Sequence, residues 1–169
     1  EQVTSFQFYV GCQSSENSKI LDHFKYQINR YMRYCNGECN EDPATAKVLA
    51  KTDAFELIGH KDIVTLSEFG IPSMNRVRGC LIESCNELTT IIDGSSSSSS
   101  TANSAILPNL EQLYMKNLPK LKSIWEGRVE PGSLCRLVTL ELQHCPLLNK
   151  IFSNGVIQQL SQIQTLIVE

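Results

Sequence analysis

Three segments of the chain carry the same apolar spacing. The copies begin at Val77, Leu110 and Leu137, and each continues with apolar residues three, five, eight, eleven, fourteen and fifteen positions later. In the last copy these residues are Leu137, Leu140, Leu142, Cys145, Leu148, Ile151 and Phe152. Because apolar residues make up only 41% of the chain, three complete matches in series are not chance. The chain is therefore a repeat protein, and its fold has to be built by stacking similar units.

The same phase continues in both directions along the chain. Repeats start near residues 3, 29, 52, 77, 110, 137 and 163, with a weak fit at 29 and two polar substitutions in the copy at 52. We assign residues 1–169 to one domain of about six to seven repeats. The one long interval contains Gly94 and a run of serines, so we interpret 94–105 as a flexible Ser-rich insertion.

The repeat length and pattern predict a leucine-rich-repeat solenoid. Most repeats start 23 to 27 residues apart, inside the usual range, and they follow the signature L-x-x-L-x-L-x-x-N/C-x-L. The alternating L-x-L section predicts one strand per repeat, with one face turned inward. We therefore expect an α/β fold in the form of a short horseshoe arc, with parallel strands on the concave face. Pro108, Pro119, Pro131 and Pro146 predict an irregular convex side without long helices.

The first third of the chain gives weaker signals. Asp42 as N-cap and Pro43 at the first position predict a short helix to Ala50. A strand is favoured from Tyr31, before the Asn36-Gly37 turn. The conformation of Lys19–Ile28 stays open, because its apolar residues also have helical spacing. Apolar strands at both ends lead us to expect that the chain alone is marginally stable or associates.

Several phrases resemble the C-terminal leucine-rich repeats of plant intracellular immune receptors. These receptors are the nucleotide-binding, leucine-rich-repeat disease-resistance proteins of the coiled-coil type. The similar phrases are Leu107-Pro-Asn-Leu, Leu118-Pro-Lys-Leu-Lys-Ser-Ile-Trp125, Cys145-Pro-Leu-Leu148, Ile71-Pro-Ser-Met74, Cys80-Leu-Ile-Glu-Ser-Cys85 and Ile91-Ile-Asp-Gly94. The likeness is good over roughly residues 50 to 169 and loose before that. It implies a cytoplasmic protein-recognition region that holds a receptor inactive or senses a pathogen protein.

The resemblance also implies the partners. They are a pathogen effector, a host protein guarded by the receptor, or other domains of the same receptor. ADP or ATP is expected only in a nucleotide-binding domain, whose motifs this chain lacks, so we expect no cofactor here. The alternative function is the substrate-binding region of a ubiquitin-ligase adaptor.

The candidate binding residues are those predicted to point outward from the concave strands. They combine aromatic, aliphatic and charged side chains, as protein-binding surfaces do. The set is Tyr9, Glu56, Ile58, Leu81, Glu83, Tyr114, Lys116, Glu141, Gln143 and Ile167. Gln7 and Glu169 occupy equivalent positions in the end copies. A neighbouring receptor domain covering this face is an equally good interpretation.

Charge and cysteine usage narrow the function classes further. The net charge of −3 argues against a nucleic-acid partner, and no apolar run has the length of a membrane span. The chain has seven cysteines without regular disulfide spacing, which we interpret as reduced thiols used as small core residues. Cys80, Cys85 and Cys145 occupy repeat positions, and the three histidines form no triad or metal spacing. We therefore expect neither an enzyme nor a metal site.

Overall fold

The computed structural model describes residues 4–13, 17–25, 27–38, 43–70, 74–96 and 104–169. The strands in these ranges are β1 Phe6–Val10, β2 Arg30–Cys35, β3 Ala54–Ile58, β4 Gly79–Glu83, β5 Thr90–Asp93, β6 Gln112–Lys116, β7 Ser123–Glu126, β8 Thr139–Gln143 and β9 Thr165–Val168. The α-helices are α1 Lys19–His23, α2 Pro43–Leu49 and α3 Asn154–Gln159. Short 3-10 helices occupy Leu66–Phe69 and Gly94–Ser96.

Seven of these strands form one parallel sheet, in the order β1-β2-β3-β4-β6-β8-β9. Equivalent residues of successive repeats stand side by side: Phe55 pairs with Cys80, which pairs with Leu113 and then Leu140. This register is the one that the apolar spacing predicts, because shifting a strand by one residue would turn its apolar side chains away from the core. The sheet confirms the α/β architecture with one parallel strand per repeat.

The main core lies on one face of this sheet. Leu113, Met115, Leu140 and Leu142 are nearly fully buried there, as are Cys80 and Ile82 on β4. The residues that follow each strand return the chain beneath it, among them Cys85, Leu88, Leu118 and Leu121. Each repeat thus buries its apolar edge against the next, and the core is shared between neighbouring repeats.

A left-handed residue follows each strand of the large sheet from β1 to β8. From β2 onward its backbone N–H donates to a carbonyl at the end of the next strand, as Ser84 does to Lys116 at 3.0 Å and Asn117 to Gln143 at 3.0 Å. The residues with positive φ at this position are Gly11, Asn36, Gly59, Ser84, Asn117 and His144. Glycine and asparagine adopt this conformation most easily, and the ladder extends repeat-to-repeat bonding beyond the strands.

The opposite side of the core contains short elements, as predicted, and one feature that the repeat pattern did not predict. Strands β5 and β7 form a second, two-stranded parallel sheet. Its paired residues Ile92 and Trp125 occupy the last apolar position of two successive repeats, and both are buried. Adjacent β-branched and aromatic residues at equivalent positions favour an extended pair there. Trp125 is therefore a packing residue.

In the earlier part of the chain, the structure agrees with some of the sequence predictions and differs from others. Helix α2 and strand β2 are confirmed, whereas Asp42 and residues 97–103 of the Ser-rich insertion lie outside the described residues. Strand β1 pairs two residues away from the predicted alignment, because Phe8 rather than Phe6 stands beside Met32. The L-x-L spacing cannot distinguish these registers, since Phe6, Phe8 and Val10 all alternate on one face.

Both outer strands expose apolar residues that inner strands bury. Phe8 and Val10 on β1 are 44% and 41% exposed, and Leu166 and Val168 on β9 are 47% and 55% exposed. Within the described ranges, each of these strands also has one edge without a neighbouring strand in the sheet. An apolar edge of this kind favours pairing with another chain.

We expect the 169-residue chain to associate through these edges, and the double variant Val10→Lys with Val168→Lys to elute as a smaller species. Lysine on an edge strand opposes strand addition by charge and hydration. Size-exclusion chromatography at two concentrations measures the difference. A wild-type chain that stays monodisperse and melts above ~60 °C would contradict the expectation.

Candidate protein-binding face

The candidate residues lie on the sheet face opposite the main core, which we call the concave face. Its central row consists of Tyr9, Arg33, Glu56, Leu81, Tyr114, Glu141 and Ile167. The next row, at the strand ends, consists of Cys35, Ile58, Glu83, Lys116 and Gln143. The structure thus brings all the predicted site residues onto one face. Tyr9 moves from the end row to the central row because β1 is shifted.

Two of the predicted residues are not exposed. The Glu56 side chain is 0% exposed and Tyr114 is 7% exposed, so the expectation that both face solvent is wrong. The cause is a segment of this same chain, residues 17–25 and 27–28, which lies on the concave face. We call this segment the cover. It brings together a second apolar cluster of Ile20, Phe24, Tyr31, Ala54 and Tyr114.

The other predicted residues keep part of their surface. Lys116 and Ile167 are exposed. The half-buried residues are Tyr9, Ile58, Leu81, Glu83, Glu141 and Gln143. The part of the concave face away from the cover is therefore open to a partner.

The cover is held locally by its own short helix, α1. Ser18 is the N-cap, and its Oγ accepts a hydrogen bond from the backbone N–H of Leu21 at 3.0 Å. Ile20 and Phe24 are four positions apart, so they share one face of the helical turn and both point at the sheet. A helix this short is not stable in isolation, so contacts with the sheet hold it.

Gly79 on β4 provides the space for these two side chains. A Cβ atom at Gly79 would stand 2.7 Å from Cγ2 of Ile20 and 2.8 Å from Cε2 of Phe24. Any larger residue would push the cover away from the sheet. The absence of a side chain at this position thus determines how closely α1 can approach.

A buried charged network anchors the start of the cover. The Glu56 carboxylate accepts hydrogen bonds from the Tyr31 hydroxyl at 2.6 Å, from Arg33 Nε at 2.6 Å and from the Ser18 hydroxyl at 2.5 Å. Arg33 also donates to the carbonyl of Asn17 at 3.0 Å. Burial, followed by the hydrogen bond and charge of Glu56, raises the pKa of Tyr31 above its usual range. The network therefore holds a neutral phenol and an ion pair between sheet and cover.

A second polar contact lies near the surface. The Lys19 ammonium is 2.7 Å from Oε1 of Glu141 and 4.4 Å from the centre of the Tyr114 ring. The Lys19 side chain is 49% exposed, so water screens the ion pair and its contribution is small. Burial, followed by the charge of Glu141, raises the pKa of Tyr114. This contact joins the cover to β6 and β8.

Beside this contact lies a cleft of about 220 Å³. Its walls come from both the cover and the sheet, and they combine apolar side chains with both signs of charge. They include Lys19, Ile58, Leu81, Glu83, Lys116 and Gln143. A concave, mixed surface of this kind suits a protein side chain or a short segment of a partner.

The cysteines at repeat positions behave as packing residues. Burial is the main cause that raises the pKa of the Cys80 thiol to about 12 and that of Cys85 to about 11. Thiols with these pKa values are protonated at neutral pH, whereas nucleophiles and metal ligands need the thiolate. In the part of the chain that the structure describes, no group of three His, Cys, Asp or Glu side chains could hold a metal ion.

The helices of the described ranges also bear on membrane insertion. None of them combines the length and apolar character needed to cross a bilayer.

The repeats can be compared with known families. The family model for plant disease resistance protein RPS2-like, leucine-rich repeats, matches residues 59–169, which is more than half of the chain. No match is found among curated proteins or among solved structures. The matched range includes strands β4 to β9 and gives no support to the ubiquitin-ligase alternative. The chain therefore belongs to the leucine-rich-repeat family of plant disease-resistance proteins.

Proposed function

We propose that this leucine-rich-repeat region acts by contact with protein through the uncovered part of the concave face. It either holds a plant immune receptor inactive or senses a pathogen-derived protein, and it performs no catalysis. The partner is a pathogen effector, a guarded host protein or another domain of the receptor. Nucleotide, ADP or ATP, belongs to a separate domain of that receptor, and the site of action is the cytoplasm.

The cleft and its rim carry this proposal. Leu81 contributes apolar surface to the wall of the cleft, while Glu83, Lys116 and Gln143 form a polar row at the strand ends. Apolar contacts surrounded by hydrogen-bonding and charged groups are typical of protein interfaces. Family membership supports the same use, because repeat solenoids present extended binding surfaces.

A charge-swapped pair tests the proposal with little cost to folding. Glu83 and Lys116 stand opposite each other on neighbouring strands, so Glu83→Lys with Lys116→Glu keeps opposite charges side by side. The pattern of positive and negative charge that a partner meets is nevertheless reversed. In the full receptor expressed in leaf tissue, we expect either constitutive defence signalling or at least a tenfold loss of the response to the pathogen protein.

The control is Lys120→Glu with Glu87→Lys, a swap of an exposed ion pair outside the two rows of the concave face. It should leave signalling unchanged at equal protein accumulation. Signalling at the wild-type level from the Glu83 and Lys116 swap would contradict the proposed function.

A further inference from the structure

The two faces of the large sheet differ in the kinds of side chain that are buried on them. On the core face the strand residues are apolar, as in Phe55, Leu57 and Ile82. Beneath the cover, the concave face buries the charged side chains Arg33 and Glu56, which water solvates well, beside the apolar cluster of Tyr31, Ala54 and Tyr114. A face that stays permanently closed gains more from apolar side chains than from charged ones. The surface beneath the cover therefore has the composition of one that can be exposed to solvent.

The cover itself is thin. Its buried side chains are Ser18, Ile20 and Phe24, whereas Asp22 and Lys25 point to solvent. Its contact with β8 is the half-exposed ion pair of Lys19 with Glu141. Elements with few buried contacts open locally, without unfolding the rest of the molecule.

We infer that the cover is an intramolecular competitor for the concave face. It opens as a unit, and the vacated site accepts a helical segment of a partner protein. This inference rests on the proposed function and extends it, because it adds a closed state in which part of the recognition surface is occupied by the chain's own residues. Opening exposes Tyr114 and the Glu56 network, and it adds them to the part of the concave face that is already open.

The cover also shows which chemistry the site accepts. An aliphatic and an aromatic side chain four residues apart fit against Gly79, as Ile20 and Phe24 do. A basic residue just before them lies over the Tyr114 ring and reaches Glu141, as Lys19 does. A partner helix with this spacing makes the same contacts, which is the helix-in-groove mode of recognition.

Hydrogen exchange of the wild-type chain tests whether the cover opens separately. The amides of Asp22 and Phe24 are bonded within the cover, to the carbonyls of Ser18 and Ile20. We expect them to exchange at least tenfold faster than the amides of β3 and β4, which exchange only when the sheet opens. Equal rates in the cover and these strands would overturn the inference, because the cover would then open only on global unfolding.

A peptide added in trans tests whether the vacated site binds a helix. The probe is a fluorescent peptide of residues 17–28. The protein that it is mixed with is the monomeric fraction of the chain carrying Ile20→Ser with Phe24→Ser. We expect this variant to bind the peptide at least tenfold more tightly than the wild-type chain, whose site is occupied. The matched control, Asp22→Ser with Lys25→Ser, changes two exposed cover residues and should bind like wild type.

Adding Gly79→Val to the variant with Ile20→Ser and Phe24→Ser should abolish peptide binding. The valine side chain would fill the space that the Ile20 and Phe24 side chains of the peptide need. A folded variant with no gain in peptide binding, or binding that survives Gly79→Val, would overturn the inference. If the variant with Ile20→Ser and Phe24→Ser does not fold, the hydrogen-exchange rates of the wild-type chain decide whether the inference holds. Neither measurement uses a partner protein, so their failure is distinguishable from failure of the charge-swap experiment.

Discussion

Replacing Glu56 by alanine is expected to release the cover while the large parallel sheet stays folded. The substitution leaves the Arg33 guanidinium and two hydroxyl groups without their buried acceptor. Removing one partner of a buried ion pair costs about 3–5 kcal/mol, because the buried charge that stays loses its counter-ion. Opening the cover lets water solvate Arg33 and relieves this cost. In NMR hydrogen exchange, the Asp22 and Phe24 amides should lose their protection while the strand amides keep theirs.

The matched control is Glu87→Ala, which removes the partner of Lys120 from an ion pair outside the concave face. Both of these side chains are about half exposed, at 53% and 46%, so the loss should stay below about 1 kcal/mol. Unchanged protection of the cover in Glu56→Ala would show that the network does not anchor it. Loss of protection throughout the sheet would show that cover and sheet are one unit.

The substitution Leu140→Ala is expected to reduce the free energy of unfolding by about 2–5 kcal/mol. Leu140 is 1% exposed and stands between Leu113 and Leu166 in the sheet, so alanine leaves a cavity that neighbouring repeats cannot fill completely. Urea unfolding followed by circular dichroism measures the loss as a lower midpoint.

Lys116→Ala serves as the control for Leu140→Ala, because Lys116 lies on the neighbouring strand with its side chain exposed. Exposed substitutions of this kind change stability by less than about 0.5 kcal/mol. Similar midpoints for the two variants would contradict the assignment of inner and outer strand faces.

The repeat pattern predicts most of the large sheet because its information is local and repeated. Cys80, Leu113 and Leu140 occur at the same step of their repeats, and each must face the core for neighbouring units to stack. Period-two alternation then places Leu81, Tyr114 and Glu141 on the opposite face. Both the core residues and the candidate face follow from these two rules.

Exposure on that face does not follow from the same rules. Glu56 and Tyr114 are covered by residues between β1 and β2, which are far from them in the sequence. The spacing of the repeats contains no information about a contact of this kind. The helical spacing of Ile20 and Phe24 indicates an apolar stripe but leaves open which surface it meets. Gly79 is the sequence signal for this contact, since glycine in a strand often marks a close approach of another segment.

The register of β1 shows a second limit of the same kind. Phe6, Phe8 and Val10 satisfy the alternation in either of two alignments, and only pairing with β2 selects the one in which Phe8 stands beside Met32. Strands β5 and β7 show a third limit, because two consecutive apolar residues predict burial without distinguishing strand from loop.

The position of the cover on the concave face can be measured most directly by nuclear Overhauser effects between the Phe24 ring and the Hα protons of Gly79. The geometry places a Phe24 ring carbon 2.8 Å from the Cβ position at Gly79, so strong cross-peaks are expected, together with contacts from the Ile20 methyl groups. Cross-peaks of this pattern would establish that the chain covers part of its own concave face. Their absence, with random-coil shifts for residues 17–25 and an intact sheet, would contradict the account.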